Sequence, residues 1–135
     1  MEELQLFVKQ MRATSSSLDK VEILKQQSEF IQKVLEYTYN PYKQYYVTSK
    51  TCKKNSGLFK YNTHETIFSL LDDLTNRKYT GHDAIAQING FITANPGYED
   101  LIYSVIDKDL KTRTGAKVIN KAFPNLIPTF NVALA

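Results

Sequence analysis

The sequence has no tryptophan, one cysteine and no apolar run long enough to cross a membrane. Its first residues lack the basic start and apolar stretch of a secretory signal. A single cysteine, Cys52, excludes an internal disulfide framework and is typical of a protein in a reducing cytoplasm. A length of 135 residues with ordinary hydrophobic content predicts one soluble, monomeric domain with one core, and no membrane partner.

Acidic residues are missing from two long stretches, residues 37–64 and 110–135. Both stretches are rich in basic residues, although the net charge of the chain is only +3. The cations concerned are Lys43, Lys50, Lys53, Lys54 and Lys60 in the first stretch, and Lys111, Arg113, Lys117 and Lys121 in the second. Charge separated in this way can form a basic face that attracts a polyanion. The alternative is a set of solvated lysines on loops.

Apolar residues recur at helical spacing along most of the chain, which predicts an all-α fold with about six to seven helices. The predicted helices cover residues 3–14, 18–27 and 30–38, begin near residues 62 and 80, cover 101–110, and begin again near 114. Residues 42–62 are expected to form a short helix or turn and then a long basic surface loop, with a β-hairpin as the alternative. Residues 1–126 are predicted to form the helical domain, and 127–135 an exit segment toward a second domain.

Helix ends are predicted from capping residues. Side chains that can accept a hydrogen bond from the first helical turn precede four of the helices, at Ser16, Asn62, Thr80 and Thr114. Asn40-Pro41 should end the third helix, because the residue before proline avoids the α region. Asn95-Pro96-Gly97 predicts a turn.

No group of residues indicates catalysis. His64 and His82 are isolated in sequence and are expected at the surface or at helix caps, with no metal site. Cys52 lies among lysines that could lower its pKa, but a plain exposed thiol is the expectation. Asp107 and Asp109 are two residues apart and face different sides of a helix, so they should not share a metal ion. The chain alone is therefore not expected to be an enzyme.

The most informative segment is the basic run at residues 109–117. It leads directly into a predicted helix, whose first N–H groups and partial positive charge favour an anion. Thr114 is expected to cap this helix, and Gly115 to let a phosphate approach the backbone. The alternative is an ordinary capped helix with exposed lysines.

Residues 108–115, followed by 118–128, resemble the end of the N-terminal DNA-binding domain of ATP-dependent DNA ligases, above all those of tailed bacteriophages. Two other segments agree with this domain in order and spacing. One comprises residues 37–39 and 44–46, and the other comprises residues 76–81, 84–85 and 90–93. The likeness extends from about residue 20 to the end of the chain.

The resemblance implies a helical module that clamps duplex DNA around a nick. Such a module contacts the backbone mainly across the minor groove, without reading the sequence, in DNA replication, repair and recombination. In the family, a nucleotidyltransferase domain follows and uses ATP and Mg²⁺ through a Lys-x-Asp-Gly motif. That motif is absent here, so the adenylation chemistry is assigned to no residue of this chain. The chain would be either a domain cut from such a ligase or a stand-alone relative.

The resemblance also implies the DNA-binding residues, which lie in two turns. They are Arg77, Lys78, Thr80 and Gly81 in the first turn, and Lys111, Thr112, Arg113, Thr114, Gly115, Lys117 and Lys121 in and after the second. Thr112 and Thr114 stand where many relatives have apolar or other small residues. Arg77 and Lys78 could also serve only to cap a helix C-terminus. The tyrosines at 37, 39, 42, 45 and 46 are expected to pack in the core and at its rim rather than to stack on bases.

A second hypothesis from a different class is a protein-interaction module that docks on a replication factor such as a sliding clamp. The acidic pair Asp72-Asp73 and exposed aromatic side chains would serve that contact. A self-contained enzyme is a third and weaker hypothesis.

Overall fold

The computed structural model describes residues 1–129. Eight α-helices and no strand occur in this range, which confirms the all-α prediction. The helices are α1 (Glu2–Arg12), α2 (Ser17–Lys25), α3 (Glu29–Tyr39), α4 (Ser49–Lys54), α5 (Ile67–Thr75), α6 (Gly81–Ala94), α7 (Glu99–Ile106) and α8 (Ala116–Ala122). None of these helices is both long enough and apolar enough to span a bilayer.

Helix α3 is central to the packing, because it contacts α1, α5 and α7. Its buried face follows helical spacing at Ile31, Val34, Leu35 and Thr38. A second contact region joins α2 to α8, which brings the beginning and the end of the described chain together. This pairing positions the basic loop before α8 against the N-terminal helices.

The predicted N-caps at Ser16 and Asn62 have opposite outcomes. The hydroxyl of Ser16 accepts a hydrogen bond from the backbone N–H of Asp19, as predicted. The cap predicted at Asn62 is wrong, because the Asn62 side chain bonds the backbone of His64 instead. Helix α5 begins later, and Thr66 caps it by accepting from the N–H of Ser69 at 3.2 Å.

Residues 42–62 contain a helix that the sequence does not locate correctly. Helix α4 lies inside the polar run for which a loop is expected, and Thr48 caps it by accepting from the N–H of Thr51. Only Cys52 of this helix is buried. Since one buried residue in six creates no periodic pattern, the helix is not visible as a hydrophobic stripe.

The packing of the domain includes the first residue of the predicted exit segment. Ile127 is buried in the core, and its N–H and C=O both bond to the side-chain amide of Asn120, at 2.9 and 3.0 Å. The packed region therefore continues at least through Ile127. The rest of the predicted exit segment, residues 130–135, lies outside the described residues.

The segment at residues 55–60 crosses directly over α6. The amide of Asn89 donates to the carbonyls of Asn55 and Leu58, and the N–H of Lys60 donates to the carbonyl of Ala86. At the crossing, a Cβ on Gly90 would overlap the backbone carbonyl of Lys60. The absence of a side chain at Gly90 is what allows this close approach.

Replacing Gly90 by alanine should therefore destabilise the fold. The expected loss is about 1–3 kcal/mol, because the clash is with backbone and outweighs the helix propensity gained with alanine. Gly57→Ala is the matched control, since a Cβ there meets nothing within 4 Å, and it should change stability by less than about 0.5 kcal/mol. Urea unfolding followed by circular dichroism measures both. Equal stability of the two variants would contradict the crossing.

Candidate nucleic-acid interface

The loop between α7 and α8 is attached to three helices by hydrogen bonds between side chains and its backbone. The guanidinium of Arg12 on α1 donates to the carbonyl of Leu110 at 3.1 Å. The ammonium of Lys20 on α2 donates to the carbonyl of Thr112 at 3.0 Å. The hydroxyl of Tyr39 on α3 accepts from the N–H of Leu110 at 3.1 Å. The loop is therefore held in one position relative to the core.

The predicted cap at Thr114 is wrong. The residue before α8 is Gly115, and no side chain caps this helix. The Thr114 hydroxyl instead donates to the carbonyl of Thr112 at 3.2 Å. Both threonines are buried, so they shape the loop from inside. Gly115 has ordinary extended backbone and open space around it, so a close approach of a ligand is not obstructed there.

The side chains of the loop alternate between inside and outside. Thr112 and Thr114 point into the protein, while Lys111 and Arg113 are exposed. Lys111 and Arg113 both have left-handed backbone, with φ of 58° and 59°. This conformation costs an L-residue roughly 1–2 kcal/mol. The side chain of Asp109 supports the turn by accepting from the N–H of Lys111 at 2.8 Å.

A cavity of about 190 Å³ lies where this loop faces α1 and α2. Four cationic side chains line it, namely Arg12, Lys20, Lys111 and Arg113. The other lining residues are Met11, Thr14 and Thr112, and none is acidic. None of the four forms an ion pair with a carboxylate of residues 1–129. Arg12 and Lys20 are not among the site residues that the sequence predicts. We refer to this space as the cationic cavity.

The other predicted turn follows α5 and has the geometry of a Schellman C-cap. The N–H of Arg77 bonds the carbonyl of Leu74, and the N–H of Lys78 bonds the carbonyl of Asp73. Arg77 occupies the left-handed position, with φ of 60°, where glycine is usual. The backbone of this turn therefore caps the C-terminus of α5. The Arg77 side chain takes no part in the cap bonds and is exposed.

Two contacts distinguish the basic side chains of this turn. The guanidinium carbon of Arg77 lies 4.2 Å from the ring centroid of Tyr46, which holds the charge at the surface by cation–π attraction. The ammonium of Lys78 lies 3.8 Å from a carboxylate oxygen of Asp73, so its charge is partly offset. Thr80 and Gly81 are both exposed, and Thr80 precedes α6 without a side-chain cap bond.

The segment at residues 44–50 connects the two basic turns. At one end, Tyr46 stacks with Arg77. At the other end, the N–H and hydroxyl of Ser49 donate to the carboxylate of Asp107, at 2.8 and 2.5 Å. Tyr46 and Lys108 line the same surface depression. Ser49 and Lys111 line a second depression, so both basic turns border the segment at residues 44–50.

The remaining predicted cations differ in their surroundings. Lys117 and Lys121 are exposed one turn apart on α8 and have no acidic partner among the described residues. In the other basic stretch, Lys43 lies 3.9 Å from Glu36, and Lys60 lies 2.6 Å from Asp83. The stretch at residues 37–64 therefore contributes less unpaired positive charge than its sequence indicates.

The tyrosines pack largely as predicted. Tyr37 and Tyr45 are buried, with the Tyr37 hydroxyl donating to Asp72 at 2.8 Å. Burial is the main cause that raises their pKa values, so both stay protonated far above neutral pH. Tyr42 and Tyr46 are exposed.

His64 is not a surface or capping residue, contrary to the prediction. It is buried, and its Nε2 lies 2.8 Å from a carboxylate oxygen of Asp73 and 3.3 Å from the hydroxyl of Tyr79. This pair fixes the segment before α5 to the helix itself. His82 is exposed, as expected.

Cys52 contradicts the expectation of an exposed thiol. It is fully buried, and burial together with the negative charge of Asp107 raises the pKa of the thiol to about 11. The lysines around it in sequence do not produce a reactive thiolate. Among residues 1–129, no three histidine, cysteine or acidic side chains lie close enough together to hold a metal ion.

Comparison of the chain with models of known protein families gives no match, and comparison with curated proteins gives none. The resemblance to DNA ligases stays a prediction from the sequence segments within residues 37–46, 76–93 and 108–128.

The burial of Cys52 predicts a slow reaction with a thiol reagent such as DTNB. The rise in pKa from 9.0 to about 11 lowers the thiolate fraction at pH 8 by about 100-fold, since each unit is a factor of ten. The folded protein should thus react at least about 100-fold more slowly than the chain in denaturant. Cys52→Ser is the blank in both conditions. Equal rates in the two conditions would show that the thiol is accessible in the folded state.

Proposed function

We propose that this domain binds duplex DNA through the phosphate backbone and across the minor groove, without reading the sequence, and that nicked duplex is its target. In this proposal it is the DNA-binding domain of an ATP-dependent DNA ligase. The observation that carries the proposal is the cationic cavity, where four positive side chains converge with no acidic neighbour in its lining. The resemblance of residues 108–128 to such ligases is the reason for proposing DNA as the anionic ligand.

The fixed geometry of the basic loop supports a backbone contact. Phosphate contacts position a protein on the duplex but carry no sequence information. Lys111 and Arg113 stand on a loop whose carbonyls are bonded to Arg12 and Lys20. Because the loop is already ordered, little conformational entropy has to be lost when a phosphate binds.

The turn after α5 supplies another exposed cation. Arg77 stacks on Tyr46, so its guanidinium is held in place and keeps its donors available to a phosphate. Tyr46 reaches the surface depression that Lys108 also lines. The proposed interface therefore runs from Arg77, along residues 44–50, to the loop that contains Lys111 and Arg113.

No catalytic role is proposed for this chain. ATP and Mg²⁺ would act in the nucleotidyltransferase part of such a ligase, and no residue here is assigned to them. The competing hypothesis of clamp docking has less support. Asp72 accepts from Tyr37, and Asp73 is engaged with His64 and Lys78, so the acidic pair is committed to contacts inside the domain.

The main test is the double variant Lys111→Glu with Arg113→Glu. Binding to nicked and intact duplexes is measured by fluorescence anisotropy across a salt series. Affinity should fall at least about tenfold at low salt, and the slope of log K against log salt should become shallower by about 0.9 for each phosphate that the variant no longer neutralises. Glutamate replaces another non-glycine residue at each position, so the cost of the left-handed backbone is unchanged. The fold should therefore remain intact, as measured by circular dichroism.

The matched control is Lys9→Glu with Lys25→Glu, which makes the same change in net charge on α1 and α2, outside the lining of the cationic cavity. It should reduce affinity far less. An equal loss of affinity in both double variants would mean that net charge alone is responsible, and would overturn the assignment of the loop. Absence of binding by the unmodified domain at low salt would overturn the proposed function itself.

Arg77 and Tyr46 give a separate prediction. Arg77→Ala should weaken DNA binding several-fold and reduce the salt slope by the amount expected for about one phosphate. Tyr46→Ala should weaken binding because the guanidinium is no longer stacked, whereas Tyr46→Phe keeps the ring and should bind as the unmodified domain does. If Tyr46→Phe is as weak as Tyr46→Ala, the hydroxyl matters and not the stack.

A further inference from the structure

The cationic cavity contains a lysine that is unusual in its burial. Lys20 is only 5% exposed, and its ammonium makes one hydrogen bond in the described structure, to the carbonyl of Thr112. A lysine is almost never fully buried without a charged partner, and no carboxylate of residues 1–129 lies within ion-pair distance of it. Since burying an uncompensated charge is costly, a negative ligand beside it would offset that cost.

Three other cations line the same cavity as this lysine. Arg12 comes from α1, and Lys111 and Arg113 come from the loop, so with Lys20 on α2 the charges come from three separate elements. The cavity volume of about 190 Å³ is enough for a tetrahedral oxyanion.

The chemistry of the lining favours an oxyanion such as phosphate over a halide. Two guanidinium groups and two ammonium groups provide many N–H donors, and guanidinium matches the spacing of phosphate oxygens. A neighbouring depression, which shares Arg12 and Lys111, also contains Asp100 and Asp107. Its two carboxylates stand beside three cations, Arg12, Lys53 and Lys111, so it is less favourable to an anion than the cationic cavity, whose lining has no acidic residue.

We propose that the cationic cavity is a built site for one phosphate group, with the buried Lys20 as its deepest donor. This inference rests on the proposed function for the carrier of that group, a phosphate of the DNA backbone, because the same chemistry would also accept free phosphate. Lys20 thereby differs from the surface lysines, since it would bind one phosphate at a fixed position and would not act only through long-range attraction.

The test uses inorganic phosphate as the probe, with the ionic strength held constant by sodium chloride. Phosphate at ten times its dissociation constant should raise the melting temperature by roughly 5 °C. Lys20→Met keeps a long apolar stem and removes the charge, so it should not respond to phosphate. Lys25→Met, in the same helix but exposed, is the matched control and should respond fully.

The outcomes separate this inference from the proposed function. If phosphate and chloride act alike on the unmodified domain, the cavity is not a phosphate site, and DNA binding by anisotropy still decides the proposed function on its own. If Lys20→Met responds as the unmodified domain does, the assignment of Lys20 is overturned. If Lys20→Met does not fold, Arg113→Gln replaces it, because Arg113 is exposed, and an unchanged response to phosphate in that variant overturns the site.

Lys20→Met also decides whether the bound phosphate belongs to the DNA backbone or is free phosphate. Weaker binding of duplex DNA by Lys20→Met, with Lys25→Met unaffected, supports a backbone phosphate as the occupant. Unchanged DNA binding by a variant that has ceased to respond to phosphate would overturn the DNA backbone as the carrier and leave free phosphate as the occupant.

Discussion

The arrangement of this domain depends on long cationic side chains that bond to backbone carbonyls. Lys108 is the clearest case: its ammonium donates to the carbonyls of Asn40 and Lys43, both at 2.7 Å, and lies 3.4 Å from that of Tyr37. These carbonyls lie at and just after the end of α3, where helical partners are missing. Burial lowers the pKa of Lys108 to about 8, so the ammonium remains largely charged at neutral pH. The backbone of Lys108 is left-handed and ends α7. One residue therefore ends α7 with its backbone and caps α3 with its side chain.

Arg12 and Lys20 extend the same principle to the loop that follows. Each leaves its helix and satisfies one carbonyl of that loop, so the loop is ordered by side chains and not by a sheet or a long helix. This explains how Lys111 and Arg113 can be held in left-handed backbone without glycine. Glycine would relieve the strain at either position but would remove the charge. Strained backbone of this kind is typical of functional sites, where the position of a side chain has to be fixed.

The sequence is informative where local chemistry decides the structure. The all-α class, the cap at Ser16 and the basic character of the loop at residues 109–117 follow from spacing, capping rules and charge. It is uninformative where distant parts meet. Lys20 bonds a residue 92 positions away, and nothing near it in the sequence marks it as buried. The prediction for Cys52 is wrong for the same reason, since its lysine neighbours face solvent while its own side chain is buried in a helix that packs on α6 and α7.

Because the cationic cavity is assembled from residues 12, 20 and 111–113, it exists only when the N-terminal helices pack against the end of the domain. The unfolded chain has the same charges but cannot place them around one point. An anion bound there would interact with the folded state alone and would stabilise it by mass action. The contact between α2 and α8 would thus be strengthened by the ligand that the cavity is proposed to hold. Folding of the domain and binding of phosphate would then both depend on the packing of the N-terminal helices against the end of the domain.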